Sequence, residues 1–126
     1  MSEVQNSKRY DLEDRTFKFA QDVRSFIKKI RRTLSNIKDC DQLARSSGSV
    51  PANYIEANES LSKKDFLMRI KICRKESKES ILWLRLLDID DKSLDRDRRT
   101  LVDEATQLMK IFSSILIKSE SISTKH

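Results

Sequence analysis

The chain has very little of what turns and phosphate-binding loops are made from. Its 126 residues include one glycine, Gly48, and one proline, Pro51. β-Sandwiches and β-barrels need a turn about every ten residues and therefore many glycines and prolines. This composition favours helices instead. One glycine is also too few for a P-loop or a dinucleotide-binding fingerprint, since each requires several.

Histidine is nearly absent, and the only one is the terminal His126. This excludes an ordered histidine-based triad or a multi-histidine metal site in the fold. Acid or base catalysis would then fall to carboxylates. Glu56 with Glu59 is one pair at a spacing of three, and Glu76 with Glu79 is another. On a charged helix such pairs are usually solvated or salt-bridged. We predict no enzyme activity, no catalytic residues, no metal and no cofactor.

The two cysteines, Cys40 and Cys73, lack the C-x-x-C spacing of redox and zinc motifs. Both fall on apolar helical positions, so we interpret them as core residues. No stretch resembles the apolar segment of a signal peptide or a membrane span. We expect a cytoplasmic protein with reduced thiols and no membrane partner.

Apolar residues recur at spacings of three and four in four segments, the pattern of amphipathic helices. Helix 1 is predicted to start near Leu12 and helix 2 to run from about Lys38 to Asn58. Ser62 and Asp65 match the S-x-x-D capping box that opens helix 3, and successive Asp residues at 88–91 end it. Ser93 or Asp91 would cap helix 4. The apolar seam assigned to helix 1 comprises Ala20, Val23, Ile27, Ile30, Leu34 and Ile37.

Helix 4 carries a second apolar stripe of Val102, Met109 and Leu116 beside its main one. This face is wider than one bundle core requires, which predicts self-association through helices 1 and 4. Four helices of matched length with short connections predict an all-α, up-and-down antiparallel four-helix bundle over residues 11–118. Polar, aperiodic ends predict disorder at residues 1–10 and 119–126.

Gly48 and Pro51 lie within predicted helix 2, among small polar residues. An active-site loop would need catalytic machinery that the chain lacks, so we interpret the stretch as a small-residue bend. Ser46, Ser49, Asn53 and Glu56 share one helix face. That face is either a polar binding strip or, as we favour, a surface that lets a neighbouring helix approach closely.

The net charge is +6, and the positive charge is clustered. The segment from Arg24 to Lys38 has six bases and no acid, and residues 63–79 have seven bases against three acids. Residues 88–104 are net acidic. Such segregation suits phosphate contacts without sequence readout, and the rival interpretation is a basic surface that serves only solubility. The candidate phosphate contacts are Lys28, Arg31, Arg32, Lys71, Arg74, Lys75 and Lys78.

Two stretches carry a resemblance to a known family. They are Gln42–Asn53 with Glu56, and Ser62–Phe66 followed by Ile70–Glu79. They resemble the bacterial four-helix-bundle proteins encoded by intervening sequences of 23S ribosomal RNA genes, which are related to accessory proteins of diversity-generating retroelements. The family-motif positions are Gln42, Ser46, Ser49, Asn53, Glu56, Asp65 and Phe66.

The resemblance implies a homopentamer of four-helix bundles, kinship with basic proteins that bind nucleic acid and a reverse transcriptase, and no enzyme activity. Together with the charge pattern it predicts a non-catalytic homo-oligomer that binds RNA or DNA without sequence specificity. The alternative is a protein-interaction scaffold or accessory subunit that does not bind nucleic acid.

Overall fold

The computed structural model describes the backbone of residues 2–124 and the side chains of residues 11–120. It consists of four α-helices and, over that range, no strand. The disorder predicted for residues 1–10 and 119–126 falls mostly on side chains outside the described range, so that division of the chain stays a prediction. The helices are α1 (Ser2–Ile27), α2 (Leu34–Asn58), α3 (Lys63–Leu86) and α4 (Lys92–Thr124).

The helices form a ring in which each one packs against its neighbours. α1 and α3 each lie beside α2 and α4, and the diagonal helices approach each other through core side chains, as the rings of Tyr54 and Phe112 do with centroids 6.2 Å apart. Short connections make sequential helices antiparallel. The structure therefore confirms the predicted all-α, up-and-down four-helix bundle.

α1 ends earlier than predicted. The apolar seam suggested one helix through Ile37, but α1 stops at Ile27 and α2 starts at Leu34. Thr33 has an extended backbone and caps α2, because its side-chain oxygen accepts from the Asn36 N–H at 3.2 Å. The periodicity continues across this break, yet Leu34 is 75% exposed and Ile37 51% exposed, so neither belongs to the core.

The second apolar stripe of α4 is mostly used inside the bundle. Leu116 is 2% exposed, and Val102 packs against the core. Met109 is half-buried. The prediction that this stripe forms a free surface is therefore wrong for Leu116, because this side chain lies in the bundle core.

α2 runs without interruption through Gly48 and Pro51, which confirms that both lie within this helix. A Cβ at Gly48 would lie 2.9 Å from Nη2 of Arg24. That guanidinium extends from α1 across α2 and donates to the Ala44 carbonyl at 3.4 Å. The missing side chain at position 48 makes room for this crossing.

Candidate nucleic-acid interface

Four of the predicted phosphate contacts lie together on α3. Lys71, Arg74, Lys75 and Lys78 are spaced by three, one and three residues, which places them on one face of a helix. Arg74 is half-buried and the three lysines are exposed. Among the described side chains none of the four has a hydrogen bond or ion pair. We call these four residues the α3 patch.

The acids of α3 do not offset the α3 patch, because two of them are held on the side that faces α2. Nη1 of Arg45 binds Glu76 Oε2 at 3.0 Å, and Nη2 binds Glu79 Oε1 at 3.0 Å. The hydrogen bond that Arg45 donates to Glu76 is the main reason that the pKa of Arg45 is raised. Glu76 is 4% exposed, so its charge is buried as well as paired. α3 therefore separates its charges across the helix.

The other three candidates, Lys28, Arg31 and Arg32, lie in the connection between α1 and α2, and we call them the loop patch. α1 and α3 are diagonal in the ring, so the structure does not unite the loop patch with the α3 patch. Nη1 of Arg31 lies 3.8 Å from Asp90 Oδ2, although both groups are well exposed. Such an exposed pair contributes little to stability.

The loop patch also lies beside the acidic connection between α3 and α4. A cavity of about 310 Å³ is formed by both connections. The negative charges of the nearby carboxylates lower the positive electrostatic potential at this end of the bundle. The α3 patch is thus the better candidate for phosphate contacts. The lining residues of this cavity are Lys29, Ile30, Arg31, Asp88, Ile89, Asp90, Asp91 and Leu94.

One buried side chain, Asn36, holds the two connections together. Its Nδ2 donates to the Arg31 carbonyl at 3.1 Å and to the Asp88 carbonyl at 3.0 Å. Its Oδ1 accepts from the Asp88 N–H at 2.9 Å. Sequence analysis missed Asn36 because its main partner lies 52 residues away. Arg45 was missed for the same reason, since Glu76 is 31 residues away.

The polar residues of α2 mostly face α3. The Ser46 and Ser80 hydroxyls lie 2.9 Å apart, and both residues are fully buried. Asn53 accepts from Nη1 of Arg69 at 3.0 Å and donates to Ser49 Oγ at 2.9 Å. Bonds this short across the interface support the interpretation that small residues let the helices approach closely.

The remaining family-motif positions have separate local environments. Gln42 accepts from Nε of Arg45 at 3.3 Å. Glu56 is exposed, and Phe66 packs against the core. The Asp65 N–H donates to Ser62 Oγ at 3.1 Å, which confirms that Ser62 caps α3, the first of the two bonds of the predicted capping box.

Both cysteines contact the core, as predicted from their spacing. Burial raises the pKa of the Cys73 thiol to about 12. Burial, and to a lesser extent the charge of Asp39, also raises the pKa of Cys40. Since the thiolate is the reactive form, these are weak nucleophiles at neutral pH.

No group of three or more His, Cys, Asp or Glu side chains in the part of the chain that the structure describes could hold a metal ion. In the same range no helix has the length and apolar character to cross a bilayer.

Comparison with known proteins places this fold in a family. The family model of the 23S rRNA-intervening sequence proteins matches residues 8–114. The chain belongs to this family. The α3 patch and the loop patch fall inside the matched range, as does the core apart from Ile115 and Leu116, so they are parts of a 23S rRNA-intervening sequence protein fold.

A solved structure supports the same architecture. It is a protein of unknown function from the S23 ribosomal protein family of Bacteroides thetaiotaomicron, with a TM-score of 0.70 and 24% sequence identity. The alignment covers 83% of this chain and 97% of that one. At this identity the likeness concerns the fold alone. A comparison with the curated proteins gives no match.

Proposed function

We propose that this protein is a non-catalytic homo-oligomer that binds the sugar–phosphate backbone of RNA or DNA without reading sequence. The observation that carries the proposal is the α3 patch, in which four basic side chains share one helix face and have no intramolecular partner. Unpaired lysines and arginines can replace the counterions of phosphates, and this release drives non-specific binding. Phosphate contacts position a protein without conveying sequence.

The test is a fluorescence-anisotropy titration of labelled RNA and DNA at several salt concentrations. The affinity should fall steeply with salt, with a log-log slope of roughly 0.9 per phosphate contact on duplex DNA. The double variant Lys71→Gln/Lys78→Gln should weaken binding and flatten this slope. The matched control, Lys29→Gln/Lys38→Gln, removes two exposed bases outside α3 and should change binding much less. Absence of binding to either nucleic acid at low ionic strength would refute the proposal.

Self-association is supported by apolar side chains that the single chain leaves exposed. Phe17 on α1 is 58% exposed, and on α2 Leu34, Ile37 and Ile55 are between 50% and 75% exposed. Burial of these side chains against a second copy would remove apolar surface from water. The family resemblance implies a homopentamer. Size-exclusion chromatography with light scattering would test this, and a monomeric mass would contradict it. Two unpaired thiols suit the reducing cytoplasm, where we place the protein.

A protein-binding scaffold is the second candidate function, and one feature of α3 favours it. Met68, Leu82 and Leu86 are each about half exposed on the same outer side of the helix as the bases. A surface that mixes bases with apolar groups suits an acidic, amphipathic protein segment. Failure to bind nucleic acid, together with capture of such a peptide, would favour this function.

A further inference from the structure

The positive charge of α3 extends well beyond the α3 patch, as a straight row. Lys64, Lys71, Lys78 and Arg85 are seven residues apart and all exposed. Seven residues advance about 10.5 Å along a helix, and the direction drifts by only about 20° per heptad. The row therefore spans about 32 Å, nearly the whole length of α3. We call these four residues the heptad row.

Few carboxylates lie near the heptad row. Arg45 pairs with both Glu76 and Glu79 on the side of α3 that faces α2, and so holds these two carboxylates away from the row. Near Arg85, a cavity of about 420 Å³ brings in two acids of α4. One of them, Asp95, accepts from Nη2 of Arg98 at 2.6 Å, and this bond lowers the pKa of Asp95. The two other acids near the heptad row are Asp65, next to Lys64, and Asp103, in the same cavity as Arg85.

The face also lacks what single-stranded nucleic acid requires. Proteins that bind single strands stack the bases on exposed aromatic rings, which contributes about 1–3 kcal/mol per base. Among the described residues the only largely exposed aromatic side chain is Phe17, which lies on α1. α1 lies diagonally across the bundle from α3. The heptad row thus presents positive charge but no aromatic side chain on which nucleobases could stack.

We infer that the heptad row binds the backbone of a double-stranded nucleic acid, with α3 lying along the duplex and covering about one helical turn. This inference rests on the proposed function and adds the form of the ligand. A duplex turn is about 34–36 Å long, close to the row's length of about 32 Å. A line of this length along a duplex crosses both backbones. A duplex is also stiff over about 150 base pairs, so it presents phosphates to a rigid row without being ordered first.

The test compares labelled duplex DNA, duplex RNA and unstructured single strands of equal length by anisotropy at low salt. Both duplexes should bind at least about tenfold more tightly than the single strands, because the protein lacks the exposed aromatic side chains on which single strands stack. In a series of duplex lengths, the affinity per site should rise until about 10 base pairs, one turn, and then level off.

Variants locate the contact. Lys64→Gln/Arg85→Gln removes both ends of the heptad row and should shorten the duplex length at which affinity levels off, whereas Lys29→Gln/Lys38→Gln should not. Equal or tighter binding of single strands would overturn the inference while the proposed function stands. If the control variant loses as much affinity as the heptad-row variant, the assignment of the contact to the heptad row is wrong. Binding of neither form, with an acidic amphipathic peptide binding instead, would overturn both.

Discussion

Replacing Asn36 by alanine should cost more stability than any other single polar substitution at this end of the bundle. Asn36 is 1% exposed, and its side chain makes three hydrogen bonds to backbone groups of Arg31 and Asp88. A hydrogen bond contributes about 1 kcal/mol net, and a buried group left without its partner costs about 1–3 kcal/mol. Alanine regains about 0.5 kcal/mol through its higher helix propensity.

The expected loss is therefore about 2–3 kcal/mol of unfolding free energy, or about 10 °C in melting temperature for a domain of this size. Urea denaturation followed by circular dichroism measures it. The matched control is Asn58→Ala, at the other end of α2, where the side-chain Nδ2 donates one hydrogen bond, to Glu13 Oε1 at 2.8 Å. That variant should lose about 1 kcal/mol or less.

A loss for Asn36→Ala no larger than that for Asn58→Ala would refute the assignment of Asn36 as the link between the two connections. A second measurement separates stability from function. At a temperature where the variant is still folded, nucleic-acid affinity should be nearly unchanged, because α3 and its bases lie away from the connection that Asn36 holds.

Three further substitutions or reactions test the packing. Gly48→Ala should raise the unfolding free energy by up to about 1 kcal/mol in urea denaturation, since the obstructing guanidinium of Arg24 is flexible, and a loss would contradict this. In the same assay, Arg45→Met should lower the unfolding free energy by about 1–3 kcal/mol, because it leaves Glu76 buried without its partner, whereas Glu79→Gln should lower it far less. In the folded protein at pH 8, Cys73 should resist maleimide and react only in denaturant, and rapid labelling would contradict its burial.

Local features were predictable from the sequence because their partners are near neighbours. Ser62 caps α3 as predicted, and Asp91 caps α4 by accepting from the Leu94 N–H at 2.9 Å. The C-terminal ends of α2 and α3 also lie at or within two residues of their predicted positions, whereas α2 starts four residues earlier than predicted. The end of α1 was not correctly predicted, because no glycine or proline marks it and the apolar spacing continues through Leu34.

The candidate interface was only partly predictable. The sequence showed that α3 is basic, and helical spacing alone puts Lys71, Arg74, Lys75 and Lys78 on one face. It could not show which way the acids of α3 point, since that depends on Arg45 in another helix. It also gave equal weight to the loop patch, whose acidic neighbours are more than 50 residues away in the chain.

Composition and periodicity by themselves determined that the protein is a bundle of four helices, because apolar residues spaced by three and four must bury one side of each helix. They also determined that the surface is basic. Only the tertiary structure decided where that charge is free. Electrostatic effects act over a few ångströms in space whatever the separation along the chain, so Arg45 leaves one face of α3 cationic while the acidic connection beside Arg31 offsets the other cluster.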